Sequence, residues 1–131
     1  MRFLTLIVLV ALAACSRSEE KKAPAPAHGE APAKPVTDPA QARALISSGA
    51  VVLDVRSPEE FEGGHVEGAV NLPVQDVAGR LGEIEQLVGG DRSKPVVVYC
   101  GAGGRASKAK ETLEAAGYTK VVNGGGYRDL K

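Results

Sequence analysis

From about Val36 onward, short unbroken apolar runs alternate with longer segments whose apolar residues recur at helical spacing. Val51-Val52-Leu53-Asp54-Val55 and Pro95-Val96-Val97-Val98-Tyr99 show no polar alternation, as expected of strands covered on both faces. Ala69 to Leu72 and Lys120 to Asn123 are two further strand segments. Between them, Asp38-Pro39 predicts a helix start, with an Asp cap, Pro at the first helical position and Gln41 placed to complete the cap. Ala42, Leu45 and Ile46 form its apolar face, and Gly49 stops it. Ser57-Pro58 opens a short second helix. Pro73 to Val88 carries Val74, Val77, Leu81, Ile84 and Leu87 at helical spacing before Gly89-Gly90. Ala106 to Ala116, with Ala109, Leu113 and Ala116 on one face, ends at Gly117. Strands alternating with helices predict an α/β domain with a mostly parallel sheet. Ligands in such sheets sit at the carboxyl ends of strands, which directs attention to the loop after Tyr99.

The N-terminus has a different pattern. Met1-Arg2 is followed by an apolar stretch from Phe3 to Leu12, about half of the ~20 residues that a spanning helix needs. It reads as an export signal, residues 1–14. Its end, Leu12-Ala13-Ala14-Cys15, resembles a bacterial lipobox, and the resemblance implies lipidation of Cys15. Ordinary secretory cleavage, leaving Cys15 free, is the alternative. Residues 15–35 are rich in Ala, Pro, Lys and Glu without apolar periodicity, which predicts a disordered tether with His28 as a solvated residue. Residues 36–131 form the globular part. The protein is therefore expected to be exported and held on a membrane facing the periplasm. Ser16 after Cys15 resembles the outer-membrane sorting pattern.

Sixteen Lys and Arg balance sixteen Asp and Glu, so nothing points to a nucleic-acid partner. Trp is absent and aromatics are few, leaving Val, Leu, Ile and Ala to build the core. No apolar seam argues for an obligate dimer, so a monomer is expected, and no metal or cofactor is called for. Once Cys15 is acylated, Cys100 is a solitary thiol, which removes the thioredoxin-like alternative with its paired cysteines.

Cys100 opens the loop Cys100-Gly101-Ala102-Gly103-Gly104-Arg105-Ala106 between the strongest strand and the helix that follows. Three glycines around one Ala free the backbone to turn successive N–H groups toward one point, forming an anion nest. The positive end of the helix lies ahead. Both features favour thiolate, so Cys100 is expected to ionise more readily than a free thiol. Arg105 adds a permanent charge and a donor fork for an oxyanion. A buried structural Cys beside a tight turn is the plainer reading, but that role would rarely need three glycines and an Arg.

Cys-x-x-Gly-x-Arg after a Val-rich strand resembles the active-site loop of rhodanese-like domains. The block from Leu53 to Pro73 is similar to the upstream signature of that family, and Asn123-Gly124-Gly125-Gly126-Tyr127 to its terminal glycine turn. The resemblance implies a rhodanese-like α/β fold with a five-stranded parallel sheet flanked by helices. It also implies a sulfurtransferase in which Cys100 takes sulfane sulfur from a donor such as thiosulfate and passes it to a thiophilic acceptor. The partners would be a small sulfur-containing anion and a thiol. Ala106 stands where Ser is common and Glu67 where Pro is. Tyr127 stands where the family commonly has Trp.

Asp54 either orients the loop or serves as a structural partner for Arg56, and Arg56 with Glu60 reads as a structural pair. His65 is a hydrogen-bonding turn residue, and Lys108 and Lys110 are solvated. A Cys-based phosphatase would need one more residue between Cys100 and Arg105. A mercaptopyruvate-type enzyme, or a persulfide-binding or redox-sensing module without turnover, remains as an alternative.

Overall fold

The computed structural model describes residues 34–131. The predicted signal, Cys15 and nearly all of the tether lie outside the described residues.

The elements run α1 (Pro39–Ser47), β1 (Val51–Asp54), α2 (Pro58–Glu62), β2 (Val70–Asn71), a single 3-10 turn (Val77–Gly79), α3 (Leu81–Leu87), β3 (Val96–Cys100), α4 (Gly104–Ala115), β4 (Val121–Gly126) and α5 (Tyr127–Leu130). The helix starts obey their local chemistry. Asp38 accepts from the Gln41 N–H at 2.9 Å, and Ser57 and Glu60 cap α2 reciprocally, each with Pro next in line.

All strand pairs are parallel, in the order β2-β1-β3-β4. The α/β class with a parallel sheet flanked by helices holds, but the sheet has four strands among the described residues where five were expected. On the free edge of β4 the chain before α1 makes one ladder bond, from the Asp38 N–H to the Asn123 carbonyl at 2.8 Å. Pro35 and Pro39 on either side of it have no N–H to donate, and Pro39 already starts a helix, so the contact cannot grow into a strand.

Both faces of the sheet are covered. Leu53, Val96 and Val98 pack with Ile84, Val88, Ala106, Ala109 and Leu113 from α3 and α4. Val52, Val97 and Tyr99 pack with Ala42, Leu45, Ile46 and Leu130 from α1 and α5. This explains why β3 is buried at every position and reads as an unbroken apolar run. Leu113 is completely buried, so Leu113→Ala should lower unfolding free energy by about 2–5 kcal/mol, measured by denaturant titration.

One stretch departs from its periodicity. Pro73 to Val88 is not one helix. Arg80 separates the 3-10 turn from α3, and the last buried contact falls on Val88 while Leu87 stays 42 % exposed.

Candidate active site

β3 delivers Cys100 to the carboxyl edge of the sheet, and four residues later α4 begins. Gly103 joins them in a left-handed conformation (φ 92°), which a side chain would strain. A Cβ there would also come within 2.7 Å of the Thr37 methyl. In this conformation the Gly103 N–H donates to Cys100 Sγ at 3.0 Å. Its carbonyl accepts from the Ser107 N–H at 2.9 Å and from Asn123 Nδ2 at 3.0 Å, so Gly103 is held from both ends. No side chain caps α4. Its first-turn N–H groups, on Gly104, Arg105 and Ala106, also lack intrahelical partners by geometry, leaving donors and a positive dipole end beside the thiol.

β4 supports this loop by close approach. Val98 pairs with Asn123 and Cys100 with Gly126, so Gly124 and Gly125 together face the single residue Tyr99, a bulge. It brings Gly126 so near that a Cβ there would lie 2.6 Å from the Gly101 carbonyl oxygen.

Cys100, Gly101, Ala102, Gly103, Gly104 and Arg105 thus gather at one end of the sheet. Gly101, Ala102 and Gly104 are exposed, while Cys100 is only 2 % exposed. The Ala106 methyl is wholly buried in the core beneath α4, so only its backbone N–H faces the loop. Arg105 is not a free fork. It donates Nη1 to Glu60 Oε2 at 2.6 Å and Nη2 to Glu60 Oε1 at 3.0 Å.

That pair corrects the expected partnership of Arg56 with Glu60. Arg56 precedes α2, so helical i,i+4 spacing does not bring the two together. Instead Arg56 turns back on Asp54, with Nη2 to Oδ2 at 2.6 Å and Nε to Oδ1 at 2.9 Å, and also donates to the Gly64 carbonyl. Asp54 is fully buried at the end of β1, beside β3, and accepts from the Tyr99 hydroxyl at 2.7 Å. The Asp54 hydrogen bonds raise the Arg56 pKa, and burial pushes the Tyr99 phenol above its ordinary value. His65 Nδ1 lies 3.0 Å from the Phe61 carbonyl, and its ring stacks on Phe61. Lys110 meets Glu114 at 3.6 Å, and Lys108 is exposed. No cluster of His, Cys, Asp and Glu among the described residues is arranged to hold a metal.

The hydrogen bonds from Arg105 hold the Glu60 carboxyl well below the usual carboxylate range, at about 2. Between about 4.5 and 2 the unfolded chain therefore binds more protons at this site. The stability Glu60 contributes is present above that window and disappears as pH falls through it. The pair is exposed, so the effect stays below ~1 kcal/mol. Denaturant midpoints of wild type and Glu60→Gln should differ near neutrality and converge toward pH 2.

Asn123, in the sequence only the last residue of a strand segment, holds the loop together. In the structure its Nδ2 bridges the Gly103 carbonyl and Ser107 Oγ, and its Oδ1 accepts from the Gly125 N–H, all within a 3 %-exposed residue. A polar residue directly after Val121-Val122 was the available signal. Asn123→Ala should lower stability by about 1–3 kcal/mol and loosen Gly103. A denaturant titration together with a sulfur-transfer assay on the same preparation reads both effects.

A protein-family model described as "Rhodanese-like domain" matches residues 38–130. The chain belongs to that family. Thiosulfate sulfurtransferase PspE of Escherichia coli strain K12 is 41 % identical over 78 residues, covering 60 % of this chain and 71 % of PspE. Thiosulfate sulfurtransferase 18 of Arabidopsis thaliana is 41 % identical over 101 residues, covering 69 % of this chain and 73 % of the plant protein. Among solved structures, a rhodanese with anions from E. coli aligns with a TM-score of 0.55 at 42 % identity, covering 61 % of this chain and 89 % of that one. The human single-domain sulfurtransferase TSTD1 aligns with a TM-score of 0.57 at 30 % identity, covering 74 % and 94 %. The rhodanese-like domain thus has a sulfurtransferase family role, and Cys100 lies inside the matched region.

Proposed function

We propose that this rhodanese-like domain is a thiosulfate-type sulfurtransferase working through a persulfide on Cys100. The observation that carries the reading is the Gly103 N–H donating to Cys100 Sγ at 3.0 Å, beside the uncapped N-terminus of α4. The Cys100 thiolate attacks the outer sulfur of thiosulfate and forms a new S–S bond. The S–S bond of the donor breaks, and sulfite leaves with its electron pair. A thiophile such as cyanide then attacks the outer persulfide sulfur, thiocyanate departs and the thiolate returns. Main-chain donors next to Sγ favour negative charge on whichever sulfur carries it. Cys100 itself is 2 % exposed, and the exposed Gly101, Ala102 and Gly104 lie between it and solvent.

Intact mass tests the reading directly. After thiosulfate treatment the protein should gain one sulfur atom on Cys100, and cyanide should remove it with release of thiocyanate. An unchanged mass overturns the donor class, while a persulfide that cyanide does not discharge points to a carrier or sensor without turnover.

The export signal and the lipid on Cys15 complete the proposal, with the domain tethered to the periplasmic side of a membrane, the outer one by the Ser16 pattern. Two acyl chains would hold it firmly, whereas one chain binds only marginally. Cys15→Ser should release the protein into the soluble fraction. Unaltered partition would remove the anchor without touching the chemistry.

A further inference from the structure

Glu60 has no part in the transfer step, yet its carboxylate occupies both prongs of the loop's cation. Arg105 meets Glu60 at 2.6 and 3.0 Å. The pair lies over the exposed Gly101, where a Cβ would come 3.2 Å from Arg105 Nη2 and 4.0 Å from Glu60 Oε1. A positive and a negative charge therefore lie side by side next to the residue that follows Cys100. Arg56, whose charge Glu60 also feels, is already matched by the buried Asp54 at 2.6 Å. A donor approaching Cys100 therefore meets, in Arg105, a guanidinium group that already has a carboxylate of its own.

The geometry points to Glu60 as a specificity-determining residue that disfavours doubly charged sulfane donors and biases the Cys100 loop toward donors carrying one negative charge or none. This inference rests on the sulfur-transfer reading above. Two effects act in the same direction. The carboxylate occupies the Nη1/Nη2 edge of Arg105 and competes there with donor oxygens. It also repels the donor, and at equal distance a dianion feels twice the repulsion of a monoanion. Arg105 on its own would reward the dianion, and Glu60 removes that advantage.

Two donors of nearly the same shape separate charge from size. Thiosulfate is a dianion. Methanethiosulfonate has a methyl group in place of one oxyanion and is a monoanion. Both react in the same way at Cys100: the thiolate bonds the outer sulfur, the donor's S–S bond breaks, and sulfite or methanesulfinate leaves with the electron pair. Steady-state kinetics on the full chain, with cyanide as acceptor, should compare wild type and Glu60→Gln. Glutamine keeps an amide oxygen to accept from the Ser57 N–H, so the start of α2 is retained.

The expected result is a thiosulfate KM about five- to tenfold lower in Glu60→Gln, with methanethiosulfonate changing by less than about threefold and kcat nearly constant. Added salt should narrow the difference. An unchanged ratio of kcat/KM between the donors, or an equal loss for both, overturns the role of Glu60 and leaves transfer at Cys100 standing. If neither donor adds sulfur to wild-type Cys100 by mass, the sulfur-transfer reading falls and this inference falls with it.

Discussion

Cys100→Ser is expected to keep the fold and lower thiocyanate formation by on the order of a thousandfold or more. The substitution changes one atom at a 2 %-exposed position, and the Gly103 N–H that donates to sulfur can donate to a hydroxyl oxygen. What disappears is the nucleophile. A serine hydroxyl is not ionised near neutral pH, and it cannot hold sulfane sulfur in a stable S–S bond. Two measurements on one preparation decide the matter: a denaturation curve close to wild type, and the absence of any sulfur adduct after thiosulfate. Retained turnover in the variant would move the chemistry away from this loop.

Asp54→Ala should have the largest effect on stability, about 3–5 kcal/mol. The Asp54 carboxylate is fully buried and accepts from the Arg56 backbone N–H, from two guanidinium nitrogens and from the Tyr99 hydroxyl. Removing it leaves a nearly buried cation without its counter-charge and a phenol without its acceptor. Asp54→Asn, which retains an acceptor, should be less damaging. The network also bears on the site, because Tyr99 immediately precedes Cys100 and its hydroxyl accepts from the Val66 N–H at 3.0 Å. Destabilisation should therefore come with lost sulfur loading under conditions where the variant is still mostly folded. A denaturant midpoint corresponding to less than ~1 kcal/mol would show that Arg56 finds other partners, such as the Gly64 carbonyl.

These two residues were legible to different degrees. Cys100 stood out because its loop combines glycines, a following helix and a preceding apolar strand, all within a short span of chain. Asp54 was left between orienting and structural roles, because its partners were not all visible. The Arg56 bond is local, two residues away, but the Tyr99 bond spans 45 residues. Asn123 was passed over for the same reason, since its value lies in reaching Gly103, 20 residues earlier. Arg105 shows in the sequence as a cation near the thiol, whereas its partner Glu60 lies 45 residues away and is supplied by packing.

Legible along the chain were the α/β class, the helix starts at Asp38 and Ser57, the doubly buried strand through Tyr99 and the loop that opens at Cys100. Those features depend on periodicity, capping and glycine freedom, which act over a few residues. Long-range packing set the rest: Arg105 belongs to Glu60 and Arg56 to Asp54, Ala106 faces the core, and the sheet ends at four strands among the described residues. Charges pair with whatever packing brings near, and the approach of α2 to the Cys100 loop is set by the close contact of whole elements rather than by spacing along the chain.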